Sequence, residues 1–354
     1  VVLVLAAGSV IAAGVCVLGR PGAAGKRLIQ RRPPPPEFEI ATLPAPEASA
    51  GETYRDAAKW RVDSPIPASV ADSTVRETAP DAVPDDVALV FSSLPSDVGA
   101  EVEPAFCEDG YVVSSNSSNA RMAEDVPLII PEVNGDHVGL LEVQRDARGW
   151  DGALLKNPNC STITMVPTLA ALDRFGLESV RVSTLQAVSG AGYSGVTSME
   201  IIDNVLPHIG GEEAKMETET TKLLGSFDGS TVETHDVDVQ ASCNRVPTLD
   251  GHLENVWADT TEDVTAEAAA EAMAAMEGAD LPSSPERMVR VFEEPDRPQP
   301  RLDRMLDSGM AVSAGGIKET STGIQYDCLA HNTMRGAAGA SVLNGELLRS
   351  EGYL

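Results

Sequence analysis

The sequence of 354 residues is poor in aromatic and basic side chains. Phe, Trp and Tyr make up 4% of it, so Ala, Val, Leu and Ile must fill most of the core. Lys and Arg number 26 against 54 Asp and Glu, which gives a net charge of -28. This charge repels phosphate backbones and anionic membranes, and it argues against nucleic-acid and membrane partners. Because the acids are spread along the chain, we expect a solvated acidic surface suited to a halophilic cytoplasm.

Cysteine is also scarce, with five residues at wide spacings and no CxxC pair. An odd number of cysteines in a chain of this length favours free thiols in a reducing compartment, without a metal site. Residues 1–18 carry no charge and could pass for a membrane span or a signal segment. They lack the basic start of a signal peptide, and residues 15–18 fit a buried first strand better. We therefore predict a cytoplasmic protein.

The length exceeds the size at which one hydrophobic core stops growing, so two domains are expected. In the first half, β-type apolar runs alternate with helical patterns, which predicts a parallel sheet with helices on its faces. Beyond residue 156 the pattern of apolar and polar residues changes, and it indicates longer helices and strands. The predicted strands are 15–18, 38–43, 87–91, 111–113 and 180–188, the predicted helices are 25–31, 163–175 and 265–277, residues 281–300 are predicted as a loop, and the chain turns helical again after Gly339.

Three glycines, Gly19, Gly22 and Gly25, follow the first predicted strand and open a helix. In this context glycines let the backbone approach a pyrophosphate held at the helix N-terminus. The spacing therefore indicates a dinucleotide site. It also arises by chance in sequences rich in Gly and Ala.

Cys160 stands where an Asn-Pro-Asn turn meets the start of a predicted helix. Its sulfur would face unpaired N–H groups and the positive end of the helix dipole, which lower a thiol pKa and favour the nucleophilic thiolate. The alternative is a buried, inert cysteine. A polar turn is an unusual place for one, so we consider both interpretations.

A nucleophilic thiolate needs a proton-handling partner, and His252 is slightly favoured among five histidines. The alternative is a surface histidine beside a turn. Arg245 could bind a carboxylate with two hydrogen bonds or pair with one of the many acids. Glu212 and Lys215 are spaced i, i+3, as in a surface ion pair.

Ten motifs occur in order from about residue 15 onwards. They include Phe91-Ser-Ser-Leu-Pro95, Asn157-Pro-Asn-Cys160-Ser-Thr, Gln186-Ala-Val-Ser-Gly190-Ala-Gly-Tyr193, Gly211-Glu-Glu-x-Lys215, Arg245-Val-Pro247 with Gly251-His252, and His331-Asn-Thr-Met-Arg-Gly336. Together they resemble the aspartate-semialdehyde dehydrogenases, in particular those of archaea and fungi.

The resemblance implies a role for each matching residue. It implies an NADP-dependent enzyme that converts L-aspartate 4-semialdehyde and phosphate to 4-phospho-L-aspartate through a thioester on Cys160, in lysine, threonine and methionine biosynthesis. His252 would be the acid/base and Gln186 would orient substrate and thiol. The implied binding residues are Arg121, Asn159, Glu212, Lys215 and Arg245 for substrate and phosphate, and Gly19, Gly22, Ala23, Ala24, Gly25, Ser189, Gly190 and Asn332 for the coenzyme.

The expected fold is α/β, with a Rossmann-type NAD(P)-binding domain of residues 1–156 plus 331–354 and an α+β catalytic and dimerisation domain of residues 157–330. A homodimer or homotetramer is implied. NAD is the alternative coenzyme, because Glu52 lies near the position expected to meet the 2′-phosphate of NADP. Two alternative functions are a malonyl-CoA reductase on the same scaffold and an inactive paralogue that acts as a binding subunit, the latter prompted by Arg20 and Pro21 in the glycine loop.

Overall fold

The computed structural model describes residues 13–18, 23–30, 38–45, 49–62, 64–84, 86–192 and 194–354. The strands are β1 (Ala13–Leu18), β2 (Phe38–Thr42), β3 (Pro44–Ala45), β4 (Arg76–Glu77), β5 (Val87–Ser92), β6 (Val112–Ser115), β7 (Ala153–Lys156), β8 (Leu177–Gln186), β9 (Ser226–Phe227), β10 (Val232–Glu233), β11 (Asp238–Arg245), β12 (His252–Thr260), β13 (Val289–Val291), β14 (Val312–Glu319) and β15 (Gly323–Ala330). The helices are α1 (Ala23–Gln30), α2 (Tyr54–Ala57), α3 (Ala68–Ala71), α4 (Ser96–Glu108), α5 (Pro131–Asn134), α6 (Leu140–Arg148), α7 (Thr162–Leu172), α8 (Ser198–Ile201), α9 (Glu212–Leu223), α10 (Ala266–Ala274), α11 (Pro300–Asp303) and α12 (Gly339–Ser350).

The first sheet is parallel throughout, with strand order β2-β1-β5-β6-β7. Alternate residues of β1 enter different apolar clusters, Val15 and Val17 on one face and Cys16 and Leu18 on the other. Helices α1 and α12 cover the first face, and Phe106 of α4 packs on the second. A parallel sheet must be covered on both faces, because its strands are apolar on both sides. The predicted α/β fold is confirmed.

The second sheet is mixed and has strand order β11-β8-β12-β15-β14-β13. Strand β8 is parallel to β11 and antiparallel to β12. Helices α7, α9 and α10 pack on this sheet through Leu169, Met216 and Met273. The register places Gln186 opposite Arg245 at the ends of β8 and β11, and His252 opens the adjacent β12. Three of the predicted site residues therefore lie together at the same end of three neighbouring strands.

Two predictions of secondary structure are wrong in part. Residues 281–300, predicted as a loop, contain β13, whose three residues pair with β14. A run of three residues among prolines is too short to show a strand period. The strand predicted for residues 180–188 ends at Gln186, and a short 3-10 turn begins at Val188. The helices in the described part of the chain are all too short or too polar to span a bilayer.

Candidate active site

Cys160 lies in the connection between β7 and α7. The side-chain oxygen of Asn159 accepts hydrogen bonds from the backbone N–H groups of Ser161 and Thr162, at 2.9 and 3.3 Å. We expected from the sequence that the sulfur of Cys160 would face such N–H groups. In the structure these N–H groups donate instead to the side-chain oxygen of Asn159, which caps the start of the helix.

The sulfur of Cys160 faces His252 instead. Sγ lies 3.3 Å from Nε2 of His252, and the imidazole is fully buried. The other ring nitrogen, Nδ1, accepts a hydrogen bond of 3.0 Å from the backbone N–H of Ala187. The structure thus brings together the predicted nucleophile and the histidine that the sequence only slightly favoured.

Burial controls the protonation of this pair. It raises the pKa of the Cys160 thiol to about 12, with Glu212 adding to the rise and the charges of Arg245 and Arg121 opposing it. Burial also lowers the pKa of His252 to about 3, and the charge of Arg245 adds to that effect. Both groups are therefore neutral in the free protein. The prediction of a lowered thiol pKa is wrong for this state, because the loss of hydration outweighs the helix start.

Gln186 and Glu212 line the same buried region. Nε2 of Gln186 donates a hydrogen bond of 2.6 Å to the hydroxyl of Ser161, next to the nucleophile. The Glu212 carboxylate accepts hydrogen bonds from the Asn159 amide at 2.9 Å and from Lys215 at 2.8 Å. Burial raises the pKa of Glu212, but these hydrogen bonds outweigh it and hold the pKa below the usual value. Glu212 is therefore a carboxylate and not the exposed partner of a surface ion pair.

Arg245 is buried beside the Cys–His pair. Its Nη1 donates a hydrogen bond of 2.8 Å to the carbonyl of Ala187. A Cβ at Gly190 would lie 2.7 Å from this Nη1 and 3.4 Å from the ring of His252. A side chain at position 190 would therefore displace the guanidinium of Arg245, and a glycine lets the loop pass over both side chains without this shift.

Arg121 is also buried, and it is tied to α9. Its Nη1 donates to the carboxylate of Glu219 at 2.8 Å, and its Nη2 donates to the carbonyl of Asn116 at 2.7 Å. Nε finds no hydrogen-bond partner within the described part of the chain. A buried donor without a partner costs free energy, and this atom is shielded from solvent.

A cleft of about 260 Å³ opens beside α1. Lys26, Ser189, Gly192, Asp250 and Thr333 are among the residues that line it. The cleft therefore lies between α1, which packs on the parallel sheet, and the loops around the Cys–His pair.

The remaining predicted coenzyme residues lie at two places. Asn332 donates a hydrogen bond of 2.8 Å to Ser189 and accepts one of 2.9 Å from the backbone N–H of Gly251, which fixes its amide beside the cleft. Ala23, Ala24 and Gly25 form the first turn of α1. The predictions for Gly19 and Gly22 fall outside the described residues.

The chain is similar to known proteins over most of its length. The family described as "Semialdehyde dehydrogenase, NAD binding domain" matches residues 14–141, and the one described as "Semialdehyde dehydrogenase, dimerisation domain" matches residues 169–335. An aspartate-semialdehyde dehydrogenase of Archaeoglobus fulgidus is 50% identical over 95% of this chain and 98% of the relative. The chain belongs to the aspartate-semialdehyde dehydrogenase family.

Other relatives support the same assignment. An aspartate-semialdehyde dehydrogenase of Methanothermobacter thermautotrophicus is 49% identical over 94% of this chain and 98% of the relative. The crystal structure of the Candida albicans enzyme with NADP has a TM-score of 0.89 and 37% identity, and the match covers 97% of this chain and 100% of that one. The predicted family, the oxidoreductase class and the nicotinamide coenzyme are confirmed.

Sequence reasoning missed three residues around this aspartate-semialdehyde dehydrogenase site. Glu219 accepts a hydrogen bond of 2.6 Å from the backbone N–H of Asn159, in addition to its contact with Arg121. Lys222 donates to the carbonyls of residues 121, 123 and 126 at 2.9, 2.7 and 2.7 Å. The spacing 212, 215, 219, 222, which α9 now explains, could have shown that these charges share one face of a helix. A Cβ at Gly336 would lie 2.7 Å from Cβ of Cys160, a contact that no local pattern reveals.

Proposed function

We propose that this chain catalyses the reversible conversion of L-aspartate 4-semialdehyde and phosphate to 4-phospho-L-aspartate, with reduction of NADP, in lysine, threonine and methionine biosynthesis. The observation that carries the proposal is the partly buried contact of 3.3 Å between Cys160 and His252, beside the strand ends at which Gln186 and Arg245 also lie. A thiol and an imidazole at hydrogen-bond distance are the arrangement that covalent catalysis at a carbonyl carbon requires.

In this mechanism Cys160 adds as a thiolate to the C4 aldehyde and forms a thiohemiacetal. A nicotinamide coenzyme, which Ser189, Gly190 and Asn332 would hold, would supply the hydride acceptor for C4. Gln186 orients the reacting groups, because its amide bonds to Ser161, the residue after the nucleophile. His252 supplies a hydrogen bond to the reacting sulfur and oxygen. Loss of the hydride leaves a thioester on Cys160.

Charged residues around the pair bind the rest of the substrate. Arg245 would bind the α-carboxylate, since a guanidinium offers two parallel donors to a carboxylate. Glu212 would bind the amino group together with the amide of Asn159. Arg121 and Lys215 would hold the phosphate that attacks the thioester.

The cleft beside α1 fits the coenzyme. Lys26 supplies a cation near the start of the helix, where the glycine loop of Gly19, Gly22, Ala23, Ala24 and Gly25 would lie against the pyrophosphate. Ser189, Gly190 and Asn332 would lie along the nicotinamide end, because their loops connect this cleft to His252 and Arg245. The C. albicans relative was solved with NADP, and we propose the same coenzyme here.

We also propose the domain organisation and the assembly. Residues 1–156 with 331–354 would form the coenzyme domain, and residues 157–330 would form the catalytic and dimerisation domain, in a homodimer or homotetramer. The match to a dimerisation-domain family supports an assembly of this kind. The five cysteines are free thiols, which is consistent with a cytoplasmic location.

The test is a coupled assay on the purified protein in high salt. L-Aspartate semialdehyde with NADP should support repeated turnovers of coenzyme reduction only when phosphate is present, and Cys160→Ser should abolish the reaction. Malonyl-CoA offered with reduced NADP tests the alternative substrate. Turnover with malonyl-CoA and none with the semialdehyde would contradict the proposal, as would the absence of coenzyme binding by folded protein.

A further inference from the structure

The connection between β15 and α12 touches both sides of the Cys–His pair. A Cβ at Gly336 would lie 2.7 Å from Cβ of Cys160, so the backbone of this connection packs directly on the nucleophile. The side-chain oxygen of Asn332 accepts a hydrogen bond of 2.9 Å from the backbone N–H of Gly251, the residue before His252. The position of the β15–α12 connection therefore affects how far Cys160 lies from His252.

The β15–α12 connection contains one turn of π-helix, Met334–Ala338. The backbone N–H groups of residues 336 and 338 each donate to the carbonyl five residues earlier, at 3.1 Å. A π-helical turn is rare, and it occurs mostly as a single turn at functional sites. Because the chain does not favour this turn by itself, contacts with the rest of the fold must hold it.

Arg335 anchors the π-helical turn to α5. Its Nη1 and Nη2 donate to the two carboxylate oxygens of Glu132, at 2.9 and 2.7 Å, and both side chains are fully buried. Burial raises the pKa of Glu132, but the charge and the hydrogen bonds of Arg335 outweigh it and hold the pKa below its usual value, so the pair is ionised. Two parallel hydrogen bonds fix both the distance and the orientation of the two side chains.

Glu132 is in turn tied to the chain that leads to the nucleophile. It lies on α5, and the residues just before α5 run along the end of β7. The backbone N–H of residue 129 donates to the carbonyl of Lys156 at 3.1 Å, and the N–H of Lys156 donates to the carbonyl of residue 127 at 2.9 Å. Lys156 is the last residue of β7, shortly before Cys160. The contacts therefore close a circuit that starts and ends at Cys160, through β7, α5 and the π-helical turn.

We propose that Arg335 is a positioning residue for the reaction: its buried pair with Glu132 fixes the β15–α12 connection and, through it, the contact between Cys160 and His252. The proposal rests on the proposed function. Two apolar side chains of similar volume are often as stable as a buried ion pair, so what the ions add here is a defined geometry. That geometry matters for the rate, because a displacement of about 1 Å at a nucleophile can cost about 10²-fold.

The first test compares two matched variants, Glu132→Gln and Glu346→Gln. Both carboxylates are buried, and each accepts hydrogen bonds from neighbouring serines, Ser284 for Glu132 and Ser283 for Glu346. Glu132 also holds Arg335, whereas Glu346 lies on α12 beyond the π-helical turn. We expect Glu132→Gln to lower kcat by about 10²-fold with KM for the semialdehyde unchanged, and Glu346→Gln to keep the wild-type kcat. The same kcat in both variants would overturn the proposal.

The second test separates catalysis from stability. Removal of one partner of a buried ion pair destabilises a protein strongly, whereas replacement of both by apolar residues often restores stability. The double variant Glu132→Leu with Arg335→Met should therefore unfold at a higher urea concentration than Glu132→Gln. Its kcat should stay as low as that of Glu132→Gln, because the apolar pair lacks the defined geometry. A kcat that recovers together with stability would show that the pair serves the fold alone.

The third test needs no substrate. Arg335→Lys keeps the charge but cannot form two parallel hydrogen bonds to Glu132. In crystal structures of the wild type and this variant, we expect the distance from Sγ of Cys160 to Nε2 of His252 to grow by at least about 0.5 Å, the tolerance of a catalytic arrangement. An unchanged distance would overturn the proposal. Wild-type protein without semialdehyde turnover would refute the proposed function, while the crystal structures would still decide whether Arg335 sets this contact.

Discussion

Sγ of Cys160 lies 3.3 Å from Nε2 of His252, although 92 residues separate them in sequence. Cys160 follows the last strand of the parallel sheet, and His252 opens a strand of the mixed sheet. The reactive pair therefore exists only when both sheets are formed and packed together. This dependence on distant contacts makes the pair sensitive to small displacements of either side.

Gly336 provides the first test of this sensitivity. Gly336→Ala would place a Cβ 2.7 Å from Cβ of Cys160, a distance that neither backbone can accept without moving. We expect kcat/KM to fall by at least about ten-fold, since a shift of one ångström at a nucleophile can cost about 10²-fold. Steady-state assays measure this effect.

Gly210→Ala is the matched control, because nothing lies within 4 Å of the added Cβ there. It should retain wild-type kcat/KM. Equal activity of the two variants would show that the tight packing on Cys160 does not matter for catalysis.

Glu219 links the guanidinium of Arg121 to the backbone of Asn159, and both partners are buried. Glu219→Gln would leave the buried charge of Arg121 uncompensated. We expect the free energy of unfolding to fall by about 3 kcal/mol, the usual cost of removing one partner from a buried ion pair. Urea denaturation followed by fluorescence measures the change.

The control for this variant lies on the same helix. Glu217 is partly buried and accepts one long hydrogen bond, of 3.3 Å, from the backbone of Ala241. Glu217→Gln should therefore change the free energy of unfolding by less than about 1 kcal/mol. An equal loss in both variants would refute a special role for the Arg121 contact.

Arg245 is proposed to bind the substrate carboxylate with two donors. Arg245→Lys keeps the charge but loses the bidentate geometry, so KM for the semialdehyde should rise by about 10²-fold, with a smaller change in kcat. Arg181→Lys, at an exposed ion pair with Asp259, is the control and should leave both constants unchanged. A KM that stays the same in Arg245→Lys would assign the carboxylate to another cation.

The buried ion pair between Glu103 and Lys156 predicts a pH dependence of stability. Burial raises the pKa of Glu103, but the charge of Lys156 and several hydrogen bonds outweigh it and hold the pKa below its ordinary value of 4.5. Because the folded state favours the ionised form, this contribution is present above about pH 4.5 and is lost as the pH falls through the lowered pKa.

The measurement is the midpoint of urea unfolding at a series of acidic pH values. Stability of the wild type should fall as the pH drops below 4.5. Glu103→Gln should be less stable at neutral pH and should lose less on acidification. A variant with the same acid slope as the wild type would show that other carboxylates cause the loss.

Much of this architecture could be predicted from the sequence, because apolar periodicity reports the elements that bury one face. The strand near residue 89 and the helix after Cys160 were predicted close to their observed bounds for this reason. The three-residue strand β13 was missed, since its pairing with β14 depends on a distant partner.

The residues of the site were likewise predictable only in part. Cys160 and Arg245 belong to motifs that can be recognised locally, whereas Glu219 and Gly336 act through contacts that only the fold creates. The protonation of Cys160 was predicted wrongly, because the helix start is visible in the sequence and the burial that outweighs it is not.

The most direct test of the central proposal is the phosphate dependence of NADP reduction by the purified protein with L-aspartate semialdehyde, with Cys160→Ser measured beside it. We predict turnover that saturates with phosphate in the wild type and is absent from the variant. Sustained coenzyme reduction that is independent of phosphate would contradict the phosphorylating reaction, and reduction that persists without the thiol would contradict a thioester on Cys160.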